Sequence, residues 1–134
     1  MTSKIKVLVT GFTGCEEGGD LDNPSELLCR VLQDTVLEGA EIETLVLPLK
    51  LNSIISITNE LIARSRPNLV FIIGEFPGRS NITCERYAHN LCDFKRYDMK
   101  DQDGFQPCDK VIPSPTGHNA TYLHLLDIYI YTFI

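Results

Sequence analysis

The sequence predicts an α/β domain in which a mainly parallel sheet lies between two layers of helices, a three-layer α/β/α sandwich. Two observations carry this prediction. Short, almost continuously apolar segments such as "KVLVT" and "LVFII" are typical of strands that are buried on both faces of a parallel sheet. These segments also alternate with helical patterns in the order β-α-β-α-β, which favours crossover connections with helices on both faces.

The first strand is predicted over residues 4–10, and an amphipathic helix follows it. Asn23 is the predicted N-cap, Pro24 occupies the first helical position and Glu26 the third, while Gly39 is expected to end the helix. Apolar residues recur at helical spacing and predict the face that packs on the sheet. They are Leu27, Leu28, Val31, Leu32 and either Thr35 or Val36.

A second strand is predicted over residues 41–49, and a second helix is expected to be capped by Asn52 and to end before Pro67. The third strand covers residues 68–74. The regular pattern ends there. Residues 74–81 are predicted as a loop, residues 82–88 as a strand or a short helical turn, and residues 91–120 as turn-rich. The last segment, "LHLLDIYIYTFI", alternates apolar residues with Tyr and Thr and has high strand propensity.

Composition excludes several classes of function. The 134 residues suit one domain, and a net charge of −6 with a pI near 4.9 argues against nucleic-acid binding. No apolar run approaches the length of a membrane span, and no secretory signal is recognisable. The five cysteines form an odd, unpatterned set, which favours a reducing, cytoplasmic location. No metal-ligand spacing is present, and we expect neither a metal nor another cofactor.

Two loops follow strands at the edge where parallel sheets bind ligands, namely "GFTGCEEGG" and "IGEFPGRSNITCERYAHN". The first matches neither phosphate-binding pattern, and its acidic residues would repel phosphate, so nucleotide binding is rejected. In the second, Glu85 reads either as a catalytic carboxylate or, more often for such residues, as a solvated one paired with Arg86. Cys84 is a weak candidate nucleophile because the adjacent carboxylate would raise its pKa.

The ordered blocks "KVLVTGF", "NPS", "IETLVLPL", "PNLVFIIGEFPGRSNITCERYAHN", "DGFQP" and "TGHNATYL" resemble those of the pyroglutamyl peptidase I family, the pyrrolidone-carboxylate peptidases. The resemblance implies an α/β/α sandwich that removes N-terminal pyroglutamate from peptides by Cys-His-Glu catalysis. It implies that Glu85 is the catalytic carboxylate, and that Phe12 holds the lactam ring. Residues 1–122 then form the N-terminal part of the family domain, and residues 123–134 a divergent tail.

Three departures from the family pattern modify these expectations. Cys15 replaces the second ring-binding aromatic residue, and Glu75 stands where the family has glutamine. An ionised carboxylate cannot donate a hydrogen bond to a neutral lactam as an amide can. The family's nucleophilic cysteine and its histidine align beyond Ile134, so we expect a shortened chain that lacks the C-terminal portion of the sandwich and is inactive as it stands.

Several alternatives remain at the level of sequence. The tail over residues 123–134 could replace a lost strand, could pair with a second copy to give a homo-oligomer, or could end a shortened version of a longer protein, which we favour. The chain could also be a non-catalytic binding or regulatory pseudoenzyme. A third alternative for the function, after a shortened peptidase-like protein and a pseudoenzyme, is a different hydrolase that uses Cys84 or Cys92 with His89.

Overall fold

The computed structural model has the predicted succession of strands and helices. It describes residues 4–14, 23–75, 80–83, 87–89, 91–111, 120–122, 124–125 and 128–133. The first five elements are β1 (Ile5–Phe12), α1 (Pro24–Gln33), β2 (Ala40–Leu47), α2 (Leu51–Ser65) and β3 (Leu69–Ile73). The later strands are β4 (Tyr87–His89), β5 (Leu91–Cys92), β6 (Lys110–Val111), β7 (Ala120–Tyr122), β8 (His124–Leu125) and β9 (Ile128–Phe133), with a short 3-10 helix at Lys95–Tyr97.

The main sheet has five strands in the order β2-β1-β3-β9-β8. β2, β1, β3 and β9 are parallel, and β8 runs antiparallel to β9. Within the sheet, Leu8 is level with Val70, and Thr10 with Ile72. Two small antiparallel pairs, β4 with β7 and β5 with β6, stand apart from it. The prediction of a mainly parallel sheet is confirmed.

The two helices pack on opposite faces of this sheet. On one face, Leu61 of α2 forms a buried cluster with Leu8 and Val70. On the other face, a Cβ atom placed on Gly11 would point at Ser25 and Cys29 of α1. Because side chains alternate along a strand, Leu8 and Gly11 necessarily face opposite layers. The predicted α/β/α layering is therefore confirmed for this part of the sandwich.

The predicted end and apolar face of α1 are wrong, although its Asn23 cap is confirmed. The helix ends at Gln33, where the Thr35 N–H donates to the Leu32 carbonyl and tightens the last turn, and Gly39 (φ 80°) lies in the later turn before β2. The buried residues are Ser25 and Cys29, whereas Leu27, Leu28, Val31 and Val36 are exposed. The helix approaches β1 so closely at Gly11 that only small side chains fit between them.

The predicted Asn52 cap of α2 is also wrong. The helix begins at Leu51, two residues before the start that an Asn52 cap would give, and its N-cap residue, Lys50, makes no side-chain capping bond. Instead, the Leu51 N–H donates to Oδ2 of Asp101 at 3.1 Å, fifty positions further along the chain. Local sequence could not reveal a cap supplied by so distant a residue.

Part of the tail adds a strand to the sheet. The backbone of β9 pairs in parallel with β3, from Leu69 opposite Tyr129 to Ile73 opposite Phe133. This pairing fits a tail that replaces a lost strand, and it does not separate that alternative from a shortened version of a longer protein. Homo-oligomer formation and the domain boundary at residue 122 stay predictions. Within the described residues, no helix has both the length and the apolar character needed to cross a membrane.

Candidate functional site

Two of the predicted site residues lie side by side at the carboxyl edge of the sheet. Phe12 ends β1, while Gly74 and Glu75 directly follow β3 on the neighbouring strand. A Cβ atom on Gly74 would lie 3.6 Å from Cε2 of the Phe12 ring, so the ring rests over the glycine. Phe12 is half-buried and Glu75 is exposed. The edge therefore has the Phe12 ring over Gly74, and Glu75 is the next residue along the chain.

The backbone of Phe12 is fixed from the side of α1. Its N–H donates to Oγ of Ser25 at 2.9 Å, and the Ser25 hydroxyl in turn donates to Oδ1 of Asn23 at 2.6 Å. The same Asn23 oxygen accepts the Ser25 N–H at 2.9 Å, which caps the helix. One buried hydroxyl thus joins the start of α1 to the aromatic residue at the end of β1.

The next residue, Thr13, is held from the other side. Its N–H donates to the carbonyl of Leu47 at 3.0 Å, which extends the β1–β2 pairing by one bond. Its hydroxyl accepts a hydrogen bond from Nε2 of Gln102 at 2.8 Å. The Gln102 N–H donates to the carbonyl of Leu49 at 2.8 Å. Gln102 therefore bridges the loop after β1 and the connection between β2 and α2.

Gln102 belongs to a compact turn, residues 101–105, which we call the 101–105 loop and which is organised around Asp101. This side chain is 5% exposed and accepts hydrogen bonds from three backbone N–H groups, those of Leu51 (3.1 Å), Asp103 (3.0 Å) and Phe105 (2.8 Å). Burial alone would raise the pKa of Asp101, but these donors and the nearby Lys50 together hold it below its ordinary value. Asp101 therefore stabilises the loop as a carboxylate.

Sequence reasoning did not identify Asp101 or Gln102 as part of the site. Their surroundings contain a recognisable signal. The Asp101 side chain accepts a hydrogen bond from the N–H two residues later, that of Asp103, which is typical of an Asx turn, and Gly104 follows at φ 76°. That signal predicts a local turn. It does not predict the contacts with Thr13 and Leu51, which are 89 and 50 positions away.

Other predicted site residues lie outside the described residues. Glu85, Cys84 and Cys15 are among them, so the role of Glu85 stays a prediction. The backbone of β4, which begins two positions after Glu85, pairs with β7 and includes His89. Residues 82–88 were predicted as a strand or a helical turn, and the described part from Tyr87 is a strand.

Two of the described cysteines, Cys29 and Cys92, are poor candidates for a nucleophile. Cys29 is 1% exposed, and burial, together with Glu26, raises the pKa of its thiol. Cys92 is also buried, and burial raises the pKa of its thiol despite the nearby Lys110. Cys108 is exposed. Because the thiolate is the reactive form, the burial of Cys92 argues against a hydrolase that uses it.

A small cavity lies elsewhere on the sheet and has no part in this site. It has a volume of about 60 Å³ and is bounded by residues that include Lys6, Glu41, Glu43 and Ser65. Ligand pockets usually measure about 300–1,000 Å³, so this space suits a water molecule or two. Among the described residues, no group of three or more His, Cys, Asp or Glu side chains is arranged to hold a metal ion.

Comparison with known proteins gives independent evidence on the family of this chain. The sequence profile of the pyroglutamyl peptidase family matches residues 5–128. The chain is 36% identical over 120 residues to the pyrrolidone-carboxylate peptidase of Mycobacterium marinum, covering 87% of the chain and 52% of that protein. It is 37% identical over 119 residues to that of Thermococcus kodakarensis, covering 87% and 55%.

Solved structures give the same result. The pyroglutamyl peptidase I of Bacillus amyloliquefaciens superposes with a TM-score of 0.76 at 29% identity, covering 89% of this chain and 54% of the other. The pyrrolidone carboxyl peptidase of Fervidobacterium islandicum gives a TM-score of 0.78, also at 29% identity and with the same coverage. The chain thus spans about half the length of the relatives and structures it matches.

A mainly parallel sheet with helices on both faces places the chain in the class of α/β/α sandwich proteins. Within that class, the chain belongs to the pyroglutamyl peptidase family, because the family profile covers nearly all of it.

Proposed function

We propose that these 134 residues form the part of a pyroglutamyl peptidase that holds the pyroglutamyl ring of a peptide and supplies the catalytic carboxylate. The observation that carries the proposal is the Phe12 ring lying over Gly74 in a chain that matches the family over residues 5–128. The substrate class is peptides that begin with pyroglutamate. An unpatterned cysteine set and a net charge of −6 support a cytoplasmic protein that binds neither nucleic acid nor membranes.

The ring site is apolar on one side and polar on the other. Phe12 offers the face of an aromatic ring to a flat lactam, and Gly74 adds no side chain that would compete for the space. Glu75 is exposed and directly follows Gly74; in this proposal its carboxylate accepts a hydrogen bond from the lactam N–H but cannot donate one to the lactam carbonyl. Ring binding is therefore expected to be weaker than in a site with glutamine at this position.

Hydrolysis needs more groups than this sequence contains. In a Cys-His-Glu triad the carboxylate orients a histidine, and the histidine takes the proton of the cysteine thiol that attacks the carbonyl. In this proposal Glu85 supplies the carboxylate, and the nucleophile and the histidine implied by the resemblance are not among these 134 residues. Because removing a nucleophile costs on the order of a millionfold in rate, these 134 residues alone are proposed to be inactive.

A fluorogenic pyroglutamyl substrate tests the catalytic half of the proposal. The purified 134-residue polypeptide is expected to release no fluorophore above the rate of a blank. Glu85→Gln is the matched variant, since it keeps the size of the side chain and removes its charge. Turnover by the unchanged chain that Glu85→Gln abolishes would show that the chain assembles a working site by itself.

Titration with L-pyroglutamate, followed by two-dimensional NMR, tests the ring-binding half. Binding is expected to shift the amide signals of Phe12, Thr13 and Glu75 and to weaken at least tenfold in Phe12→Ala. Phe12→Leu separates aromatic stacking from apolar volume, and Val36→Ala, at an exposed position before β2, is the control. Equal affinity in Phe12→Ala and Val36→Ala would refute this role of Phe12.

A second candidate function, a non-catalytic binding protein, is favoured by the pairing of β9 with β3. This pairing covers the edge of β3 and lets the 134 residues complete a five-stranded sheet of their own. A soluble chain that melts cooperatively as a monomer or dimer would support it. Aggregation in light scattering would instead support an incomplete sandwich.

A further inference from the structure

We propose that Gln102 is a positioning residue that holds the Phe12–Thr13 segment in the geometry needed to bind the pyroglutamyl ring. This inference rests on the proposed function. The 101–105 loop is distant from Phe12 in sequence, yet Nε2 of Gln102 donates to Oγ1 of Thr13 at 2.8 Å, one residue from the aromatic ring. Gln102 need not touch the substrate to act in this way.

The Gln102 side chain starts from an anchored backbone. Its own N–H donates to the carbonyl of Leu49 at 2.8 Å, and Thr13 donates to the carbonyl of Leu47, two residues earlier. The Gln102 amide therefore closes a short ring of hydrogen bonds between the end of β2 and the end of β1. A closed ring of this kind restricts the movement of Thr13 more than either backbone bond does alone.

Asp101 fixes the backbone of the loop to which Gln102 belongs. The bond that Asp101 accepts from the Leu51 N–H fixes the 101–105 loop on the first turn of α2, and the bonds from the Asp103 and Phe105 N–H groups hold the loop itself together. The ion pair between Lys50 and Asp103, 2.9 Å long, contributes less, because both side chains are nearly half exposed and water screens the attraction between exposed charges. The orientation of Gln102 thus depends mainly on the buried carboxylate.

The Gln102–Thr13 bond is better suited to positioning than to stability. Gln102 is exposed, so water can replace its partner when the bond is lost, and the folded state should survive. On the opposite side, Phe12 is tied by its N–H to Ser25. The aromatic segment is therefore held between α1 and the 101–105 loop. When Gln102 is removed, Thr13 keeps only its backbone bond to Leu47, and the Phe12 ring has more freedom to tilt.

The test compares Gln102→Ala, Thr13→Val and the double variant in the full 134-residue chain. Thr13→Val removes the hydrogen-bonding oxygen but keeps the branched shape. Gln106→Ala is the control, since its amide lies 3.5 Å from Asp98 and has no bond to Thr13. Three quantities are measured: affinity for L-pyroglutamate by NMR titration, hydrogen exchange of the Phe12 and Thr13 amides without ligand, and the melting temperature.

We expect affinity to fall roughly three- to tenfold in each single variant, with no further loss in the double variant. The Phe12 and Thr13 amides should exchange faster, whereas the melting temperature and the control should change little. Unchanged affinity and unchanged exchange in Gln102→Ala would overturn the inference. So would a loss of affinity that merely follows a large drop in melting temperature.

The proposed function and this inference can fail separately. If the unchanged chain binds pyroglutamate and Gln102→Ala binds equally well, the function stands and the positioning role falls. If the unchanged chain does not bind pyroglutamate, the ring-binding function falls. Hydrogen exchange of the Thr13 amide then decides alone whether Gln102 positions this segment. Unaltered exchange in Gln102→Ala overturns the positioning role, and faster exchange supports it.

Discussion

Gly11 and Ser25 lie so close together that no side chain fits between them. A Cβ atom on Gly11 would approach the carbonyl oxygen of Ser25 and lie 2.7 Å from its carbonyl carbon, with Sγ of Cys29 at 3.0 Å. These are backbone atoms and a buried thiol, which cannot move aside as a flexible side chain can. We expect Gly11→Ala to lower the free energy of unfolding by about 2–3 kcal/mol, measured by urea denaturation.

Gly74→Ala is the matched control for this prediction. Its added methyl group would lie 3.6 Å from the Phe12 ring, an ordinary van der Waals contact. We expect it to change the free energy of unfolding by less than about 1 kcal/mol. If Gly74→Ala destabilised the chain as much as Gly11→Ala, close approach of α1 to β1 would not be the cause.

Glu75→Gln is expected to strengthen ring binding. The amide keeps the size of the side chain, adds a donor for the lactam carbonyl and removes a charge that the neutral lactam ring cannot pair. The probe is L-pyroglutamic acid amide, which lacks the carboxylate that Glu75 would repel, and a gain of roughly tenfold in its affinity corresponds to one additional hydrogen bond. NMR titration measures it, and Glu41→Gln, at an exposed position of β2, controls for the change of net charge. Equal affinities in the unchanged chain, Glu75→Gln and Glu41→Gln would contradict a recognition role for residue 75.

Sequence reasoning predicted the fold well because its signals are local. Apolar runs identified β1, β2 and β3, and Asn23 with Pro24 marked the start of α1. The buried face of α1 was missed because the packing at Gly11 selects the small residues Ser25 and Cys29, so the apolar pattern favoured the wrong side.

For the site, sequence reasoning could predict residues but not their supports. Family resemblance singled out Phe12 and Glu75, and the structure brings both to one edge of the sheet. Asp101 and Gln102 were missed because their partners, Leu51 and Thr13, are distant along the chain, and tertiary hydrogen bonds leave no periodic pattern.

The lowered pKa of Asp101 predicts acid-dependent stability. As pH falls below about 4, the unfolded chain binds a proton at this carboxyl before the folded chain does, so the free energy of unfolding contributed by Asp101 decreases. Above that pH the contribution is fully present. Asp101→Asn should therefore destabilise the chain by about 1–3 kcal/mol at pH 7, and the difference from the unchanged chain should shrink towards pH 3.

Urea denaturation at several pH values between 3 and 7 measures this effect of Asp101. Asp103→Asn is the control, because its carboxylate is exposed and paired only with Lys50 among the contacts described for it, so the expected loss is at most about 1 kcal/mol. If the free energies of unfolding of Asp101→Asn and the unchanged chain differed by the same amount at every pH, the charge of Asp101 would not be the source of the stabilisation.

Thiol reactivity should follow burial among Cys29, Cys92 and Cys108. Cys108 is exposed, whereas burial raises the pKa of the other two thiols and lowers their thiolate fraction. With iodoacetamide near pH 7.5, followed by peptide mass spectrometry, we expect Cys108 to react roughly tenfold faster or more than Cys29 and Cys92. The same labelling in guanidinium chloride should equalise the rates, since unfolding exposes all three. Rapid modification of Cys92 in the folded chain would instead revive the hydrolase that pairs this cysteine with His89.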